Sequence, residues 1–237
     1  MNKRDFIKSA AVMAGVSAIT PFATVSGKNK TPSAAAQQKS KVSLKKALVF
    51  GVIQDKGSLT DKFKIARDAG FDGVELNSPT DLSLTDLLQA KRNAGIELPS
   101  VINKDHWSKP LSDPDQRIRQ QCIESVIKSM HEVKELGGDT VLVVPGVVNE
   151  KVSYEQAYIT SQSAIRELIP HAEKTGVQIA LENVWNNFIL SPVEAKRFID
   201  ELNHPLVGWY FDIGNVLRYG WPEHWIQDFY RWPVHIY

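Results

Sequence analysis

Two side chains close apolar runs and a third lies within one, and all three carry groups that can do chemistry. Glu182 ends the run Val177-Gln-Ile-Ala-Leu-Glu, Asp212 follows Trp209-Tyr210-Phe211, and His235 lies in Pro233-Val-His-Ile-Tyr237. If these runs are neighbouring strands, two carboxylates and an imidazole converge on one place. Such a set suits a hard or borderline divalent ion. A carboxylate at the end of an apolar strand is costly without a partner, so a cation or a proton-transfer role is expected. The plainer alternative makes Glu182 a helix cap, pairs Asp212 with an arginine and leaves His235 merely near a terminus. Other strand ends carry polar residues too: Gln54, Glu75 with Asn77, Asn103 with His106, and Asn183 beside Glu182.

The elements that must position these groups follow one grammar. Apolar runs stand at Ala47–Ile53, Gly73–Leu76, Leu98–Ile102, Thr140–Val144, Val177–Leu181, Val207–Phe211 and Val234–Ile236. Nearly continuous apolar runs suit strands covered on both faces, as in parallel sheets. Between them lie capped amphipathic segments. Ser58-x-x-Asp61 and Ser83-x-x-Asp86 resemble capping boxes, Asp113-Pro114 and Ser191-Pro192 put a cap residue before proline, and Ser153 is a further cap. Gly70, Gly95, Gly137 and Gly176 mark helix ends. In the third helix Ile118, Cys122, Ile123, Val126, Ile127, Met130 and Val133 form a stripe that packs on a sheet.

Strand, helix, strand, repeated six times, leaves a (β/α) barrel or an open doubly wound sheet. The open sheet would carry a glycine-rich phosphate loop after its first strand, and Gly51-Val52-Ile53-Gln54-Asp55-Lys56-Gly57 matches neither such motif. A barrel places its working groups at the C-terminal ends of its strands, where the polar residues fall here.

Composition narrows the function classes. Of 237 residues, 43% are hydrophobic and 23% charged, enough for a sizeable core and too ordered a mixture for wholesale disorder. The single cysteine, Cys122, excludes an intrachain disulfide framework and a cysteine-based zinc cluster. The formal charge is +1, but residues 1–36 hold five basic groups and one acid, leaving 23 basic against 26 acidic groups beyond them. A slightly acidic body argues against a nucleic-acid-gripping face. Lys3-Arg4, the apolar stretch Ser9 to Ala23 and the small residues Ala34-Ala35-Ala36 read as an export signal. The stretch is too short to remain a membrane span. Residues 24–44 read as a linker, and a periplasmic location in a Gram-negative bacterium follows as the expectation.

Leu181-Glu182-Asn183-Val184-Trp185, Trp209-Tyr210-Phe211-Asp212-Ile213-Gly214-Asn215 and Ser100-Val101-Ile102-Asn103-Lys104-Asp105-His106-Trp107 resemble the xylose isomerase-like TIM-barrel superfamily. Within it they are most similar to the sugar phosphate isomerase/epimerase group. The local string around Lys3-Arg4 likewise resembles a twin-arginine translocation signal. The family resemblance implies a TIM barrel over residues 45–237 and a divalent metal, Mn²⁺ or Mg²⁺ first, Co²⁺ or Zn²⁺ next. It implies Glu182 as both ligand and base, Asp212 as ligand and His235 as third ligand. His106 and Trp107 fall where a loop approaches the sugar, and Glu75, Asn183 and Asn215 complete the expected substrate contacts. Many members carry histidine at the position of Asn215, and an asparagine there hydrogen-bonds a hydroxyl without shuttling a proton.

The resemblance implies eight strands with a second catalytic glutamate on the last, whereas this sequence stops during the seventh. The expectation is therefore an incomplete barrel of six to seven strands and a poor epimerase. Its open strand edges would favour pairing with another chain, a homo-oligomer included. The leading function is a metal-dependent isomerase or epimerase of a sugar or sugar phosphate. The alternatives are a keto-sugar dehydratase or lyase, a non-catalytic degenerate fragment, and, further off, a DNA-repair enzyme like endonuclease IV.

Overall fold

The computed structural model describes residues 44–229 and 234–236, the last three through the backbone alone. The export signal and all of the linker but Leu44 lie outside the described residues. Seven strands form one sheet in unbroken chain order. They are β1 (Ala47–Val49), β2 (Gly73–Ser78), β3 (Ser100–Asn103), β4 (Thr140–Val143), β5 (Gln178–Glu182), β6 (Val207–Phe211) and β7 (Val234–Ile236). Every neighbouring pair is parallel. A doubly wound sheet reverses its order at a switch point; this one never does, and the architecture is the (β/α) barrel type. β1 and β7 are the two ends of that order.

Each crossover carries helix: α1 (Leu59–Asp68), α2 (Leu84–Ala94), α3 (Gln116–Leu136), α4 (Tyr154–Thr175), α5 (Pro192–Leu202), then α6 (Ile213–Val216) and α7 (Pro222–Phe229) before β7. Full capping boxes start α1 at Ser58 with Asp61, α4 at Ser153 with Gln156, and α5 at Ser191 with Glu194. Ser83 caps α2 through the Asp86 amide, without the return bond a full box requires. α3 corrects the sequence reading. Its cap is Asp115, which accepts the Arg117 N–H at 2.8 Å, while Asp113 accepts the Asp115 N–H at 2.8 Å. The first aspartate makes a local turn, and the second takes the helix. α5 stops on Asn203 at φ +48°, a left-handed position that asparagine tolerates.

Side chains alternate across each strand. Val141, Val143, Ile179, Leu181, Trp209 and Phe211 join the large core beneath the helices. Leu142, Ala180 and Tyr210, with Ile102 against them, form a separate small cluster on the opposite, inner face. That parity decides which strand-end residues can meet inside. Asn103 departs from the sequence reading on these grounds. Its amide donates to Ser125 Oγ at 3.0 Å and Ser129 Oγ at 3.2 Å, so it turns outward to α3.

Candidate active site

β5 and β6 build the centre of the site. Ala180 and Tyr210 face inward, so by the two-residue period Glu182 and Asp212 come up on the same side, at the same end of adjacent strands. Asp212 also caps α6, its Oδ1 accepting the Asn215 N–H at 2.7 Å. Among the described residues neither Glu182 nor Asp212 is in an ion pair. Glu182 begins no helix. Of the plainer roles, only capping is met, and only by Asp212.

Burial, then the nearby charges of Asp212 and Glu75, push the Glu182 carboxyl up to about 8. Glu75 comes from β2 and is 1% exposed. Its Oε1 accepts the hydroxyls of Ser100 and Tyr210. Its Oε2 is enclosed with no hydrogen-bond partner. Three carboxylates therefore face the barrel interior, and their like charges leave the site short of a cation. Sequence reasoning did not find Ser100 and Tyr210 as partners of Glu75. The available signal was parity: Tyr210 stands two residues before Asp212 on the same face.

Asn183 bolts the two strand ends together. Its Oδ1 accepts the Trp209 indole N–H at 3.1 Å and the Asp212 N–H at 3.0 Å, while its Nδ2 donates to the Asp212 carbonyl at 2.8 Å. Asn215 adds a bond from its Nδ2 to the Asn183 carbonyl at 2.9 Å. Both polar ends of the Asn183 amide are thus engaged with protein groups, and its position in the site is that of a bracket.

His106 lies in the turn after β3 and is 3% exposed. Its Nδ1 accepts the Val144 N–H at 3.3 Å, which puts the proton of the neutral ring on Nε2. Burial lowers its pKa to about 4, opposed by the neighbouring Asp105. Trp107 beside it is 51% exposed, its ring edge-on to the imidazole at 5.8 Å. Backbone pairing sets His235 opposite Tyr210 on β7, while its side chain lies outside the described residues. Among the described residues no three His, Cys, Asp or Glu groups gather around one point. Glu182 and Asp212 are thus the pair that the structure brings together.

A cavity of about 200 Å³ lies elsewhere, between α3 and α4, lined by Arg119, Ile123, Ile159 and Glu167 among others. Helix residues alone surround it, and none of the strand-end groups reaches it.

The comparisons with known proteins agree with this architecture. L-ribulose-5-phosphate 3-epimerase UlaE of Salmonella typhi is 23% identical over 167 residues, covering 66% of this chain and 59% of that protein. Its counterpart in Salmonella typhimurium is 24% identical over the same span. The chain thus spans 59% of the length of these curated relatives. Among solved structures, a D-tagatose 3-epimerase-like protein superposes with a TM-score of 0.68 at 19% identity, over 81% of this chain and 75% of that one. The 3-keto-D-glucoside 4-epimerase YcjR from E. coli superposes with a TM-score of 0.67 at 18% identity, over 82% and 79%. At such identities the likeness is one of fold. The family model for the xylose isomerase-like TIM barrel matches residues 63–237, from inside α1 through β7, and the chain belongs to that family.

Proposed function

We propose that this chain is a sugar epimerase or isomerase that moves a proton at the carbon beside a carbonyl. Glu182 takes the proton from one face of that carbon; isomerisation can return it from Glu182 to the neighbouring carbon, whereas epimerisation needs a second group on the opposite face, which the family resemblance expects on an eighth strand. The observation that carries this reading is the placement of Glu182 and Asp212 at the same end of adjacent strands, on the inner face of the sheet. In the metal-free protein burial, then Asp212 and Glu75, push the Glu182 carboxyl up to about 8, so this group takes a proton readily. The names of the relatives support a sugar as the substrate class, since they are epimerases of ketoses and keto-sugars.

The donor set fits a divalent ion. Glu182 and Asp212 offer carboxylate oxygens, and no described lysine or arginine pairs with them. Mn²⁺ or Mg²⁺ suits such oxygens, with His235 as the proposed third ligand. When bound, the ion supplies Lewis-acid polarisation of the substrate carbonyl. The chain does the rest. The Asn183 bracket fixes the spacing of the two carboxylates, Glu75 raises the basicity of Glu182, and His106 offers an N–H donor from a ring that stays neutral at working pH.

Incubation with D-tagatose, D-psicose and D-fructose in deuterated buffer containing Mn²⁺, followed by NMR, tests the reading. Deuterium should enter at a carbon next to the carbonyl, at a rate about 10²-fold or more lower in Glu182→Gln. Equal exchange in that variant would remove Glu182 from the role. Loss of water from the sugar would move the assignment to the dehydratase alternative, which shares the same first step. For the N-terminal segment we propose export, supported by its basic start and short apolar stretch. N-terminal sequencing of the secreted form should find a start beyond Ala23.

A further inference from the structure

Trp185 is at once exposed and fixed. It is 58% exposed, three residues past Glu182. Its indole N–H donates to the Asn215 carbonyl at 3.1 Å, and Asn215 in turn donates its own N–H to Asp212 Oδ1 at 2.7 Å. The Arg218 guanidinium lies over the indole at 4.6 Å from the ring centroid. Two hydrogen-bond steps therefore join this ring to the carboxylate at the centre of the site. Exposed aromatic side chains are ordinarily loose, and the entropy of stilling them opposes any use in binding. Here that freedom is already lost before a ligand arrives. The arrangement also leaves much of the indole surface open to solvent, in the segment that follows β5.

We infer that Trp185 is a stacking platform for a second sugar ring, so that the substrate is a ketose carrying an uncharged glycosyl substituent. The inference rests on the proposed sugar epimerase reading and names its substrate class. An indole face matches the C–H face of a pyranose, while the groups around it bond the ring hydroxyls. Charge at the mouth agrees with an uncharged substituent. Lys104 is turned to Asp81 at 3.5 Å and Lys109 to Asp105 at 3.6 Å, so each already faces a carboxylate. Arg218 is spent in part on the indole itself.

Calorimetric titration with Mn²⁺ present, using D-fructose, maltulose (glucosyl-fructose) and D-fructose 6-phosphate as probes, tests the inference. Maltulose should bind about tenfold more tightly than D-fructose. Trp185→Ala should collapse that ratio to near one, and Trp185→Phe should keep most of it. Circular dichroism checks that both variants are folded. A wild-type ratio near one, or a ratio that survives in Trp185→Ala, overturns the platform. So does tighter binding of the phosphate ester that is lost in Arg218→Met, which would make the rim an anion site. Failure to bind any of the three sugars overturns it as well. Deuterium exchange into the same probes reads the catalytic assignment separately. A Trp185-dependent ratio without exchange would keep the platform and discard the epimerase reading.

Discussion

Glu182 and His106 tilt the pH dependence of stability in opposite directions. Glu182 has its folded pKa raised from 4.5 to about 8, so its contribution is fully present below 4.5 and is lost as pH rises through 8. His106 has its folded pKa lowered from 6.5 to about 4, so its contribution is present above 6.5 and is lost as pH falls through 4. In EDTA, Glu182→Gln should raise the melting temperature at pH 9 and leave it little changed at pH 4. His106→Gln, which still offers an acceptor to the Val144 N–H, should flatten the loss on the acid side, on the order of 1–3 kcal/mol between pH 6.5 and 4. Thermal scans across pH decide both. A Glu182→Gln variant with the wild-type profile would show that the carboxyl is not strained by its surroundings. Glu182 and Asp212 were legible in the sequence because an acid that closes an apolar run breaks the pattern around it. The hydroxyl partners of Glu75 were not, since Tyr210 reaches it across 135 residues of chain and only the curvature of the sheet brings them together.

At the scale of the element, cap chemistry separates helices of similar look. Ser153 and its partner Gln156 exchange two bonds at the start of α4, whereas Ser83 gives α2 only one. Ser153→Ala should therefore cost about 1–2 kcal/mol in urea unfolding, and Ser83→Ala about half that. Equal losses would show that the return bond adds nothing. The serine caps were legible because the motif is local. The start of α3 was misread by two residues because two aspartates compete for nearby amides, and the winner depends on how the preceding turn packs. Asn103 was misplaced for a related reason. A strand-end polar residue faces either the barrel or the helix layer, and the serine stripe on α3 supplied its partners.

For the whole molecule, the question is whether the carboxylate-lined interior gains stability from a cation. A ligand that binds only the folded state at 100 times its Kd adds about 2.7 kcal/mol. For a body of this size that corresponds to a rise in Tm of about 5–10 °C. Mn²⁺ should produce such a rise at pH 8, and the double variant Glu182→Gln/Asp212→Asn should abolish it. An unchanged rise in that variant would place the ion elsewhere. The repeated grammar narrowed the fold to a barrel or an open doubly wound sheet, and the missing glycine-rich loop with the polar strand ends pointed to the barrel. The inner face was harder to foresee, because parity assigns a residue to it only once strand ends are known to within one residue.

Glu132 gives loop exchange a rule. This carboxylate on α3 is nearly buried and accepts the Ser78 hydroxyl at 2.6 Å and the Thr80 N–H at 2.9 Å. An outer helix thus reaches in to hold the turn that leaves β2 at the mouth. Recombining this barrel with a relative therefore cannot treat residues 78–80 as a free cassette. A graft that removes both donors leaves this nearly buried carboxylate with only the long Lys128 pair at 4.0 Å in place of its two hydrogen bonds, and such chimeras should express poorly. The same graft carried together with Glu132→Gln or Glu132→Leu should recover soluble yield, making position 132 part of the module to be exchanged.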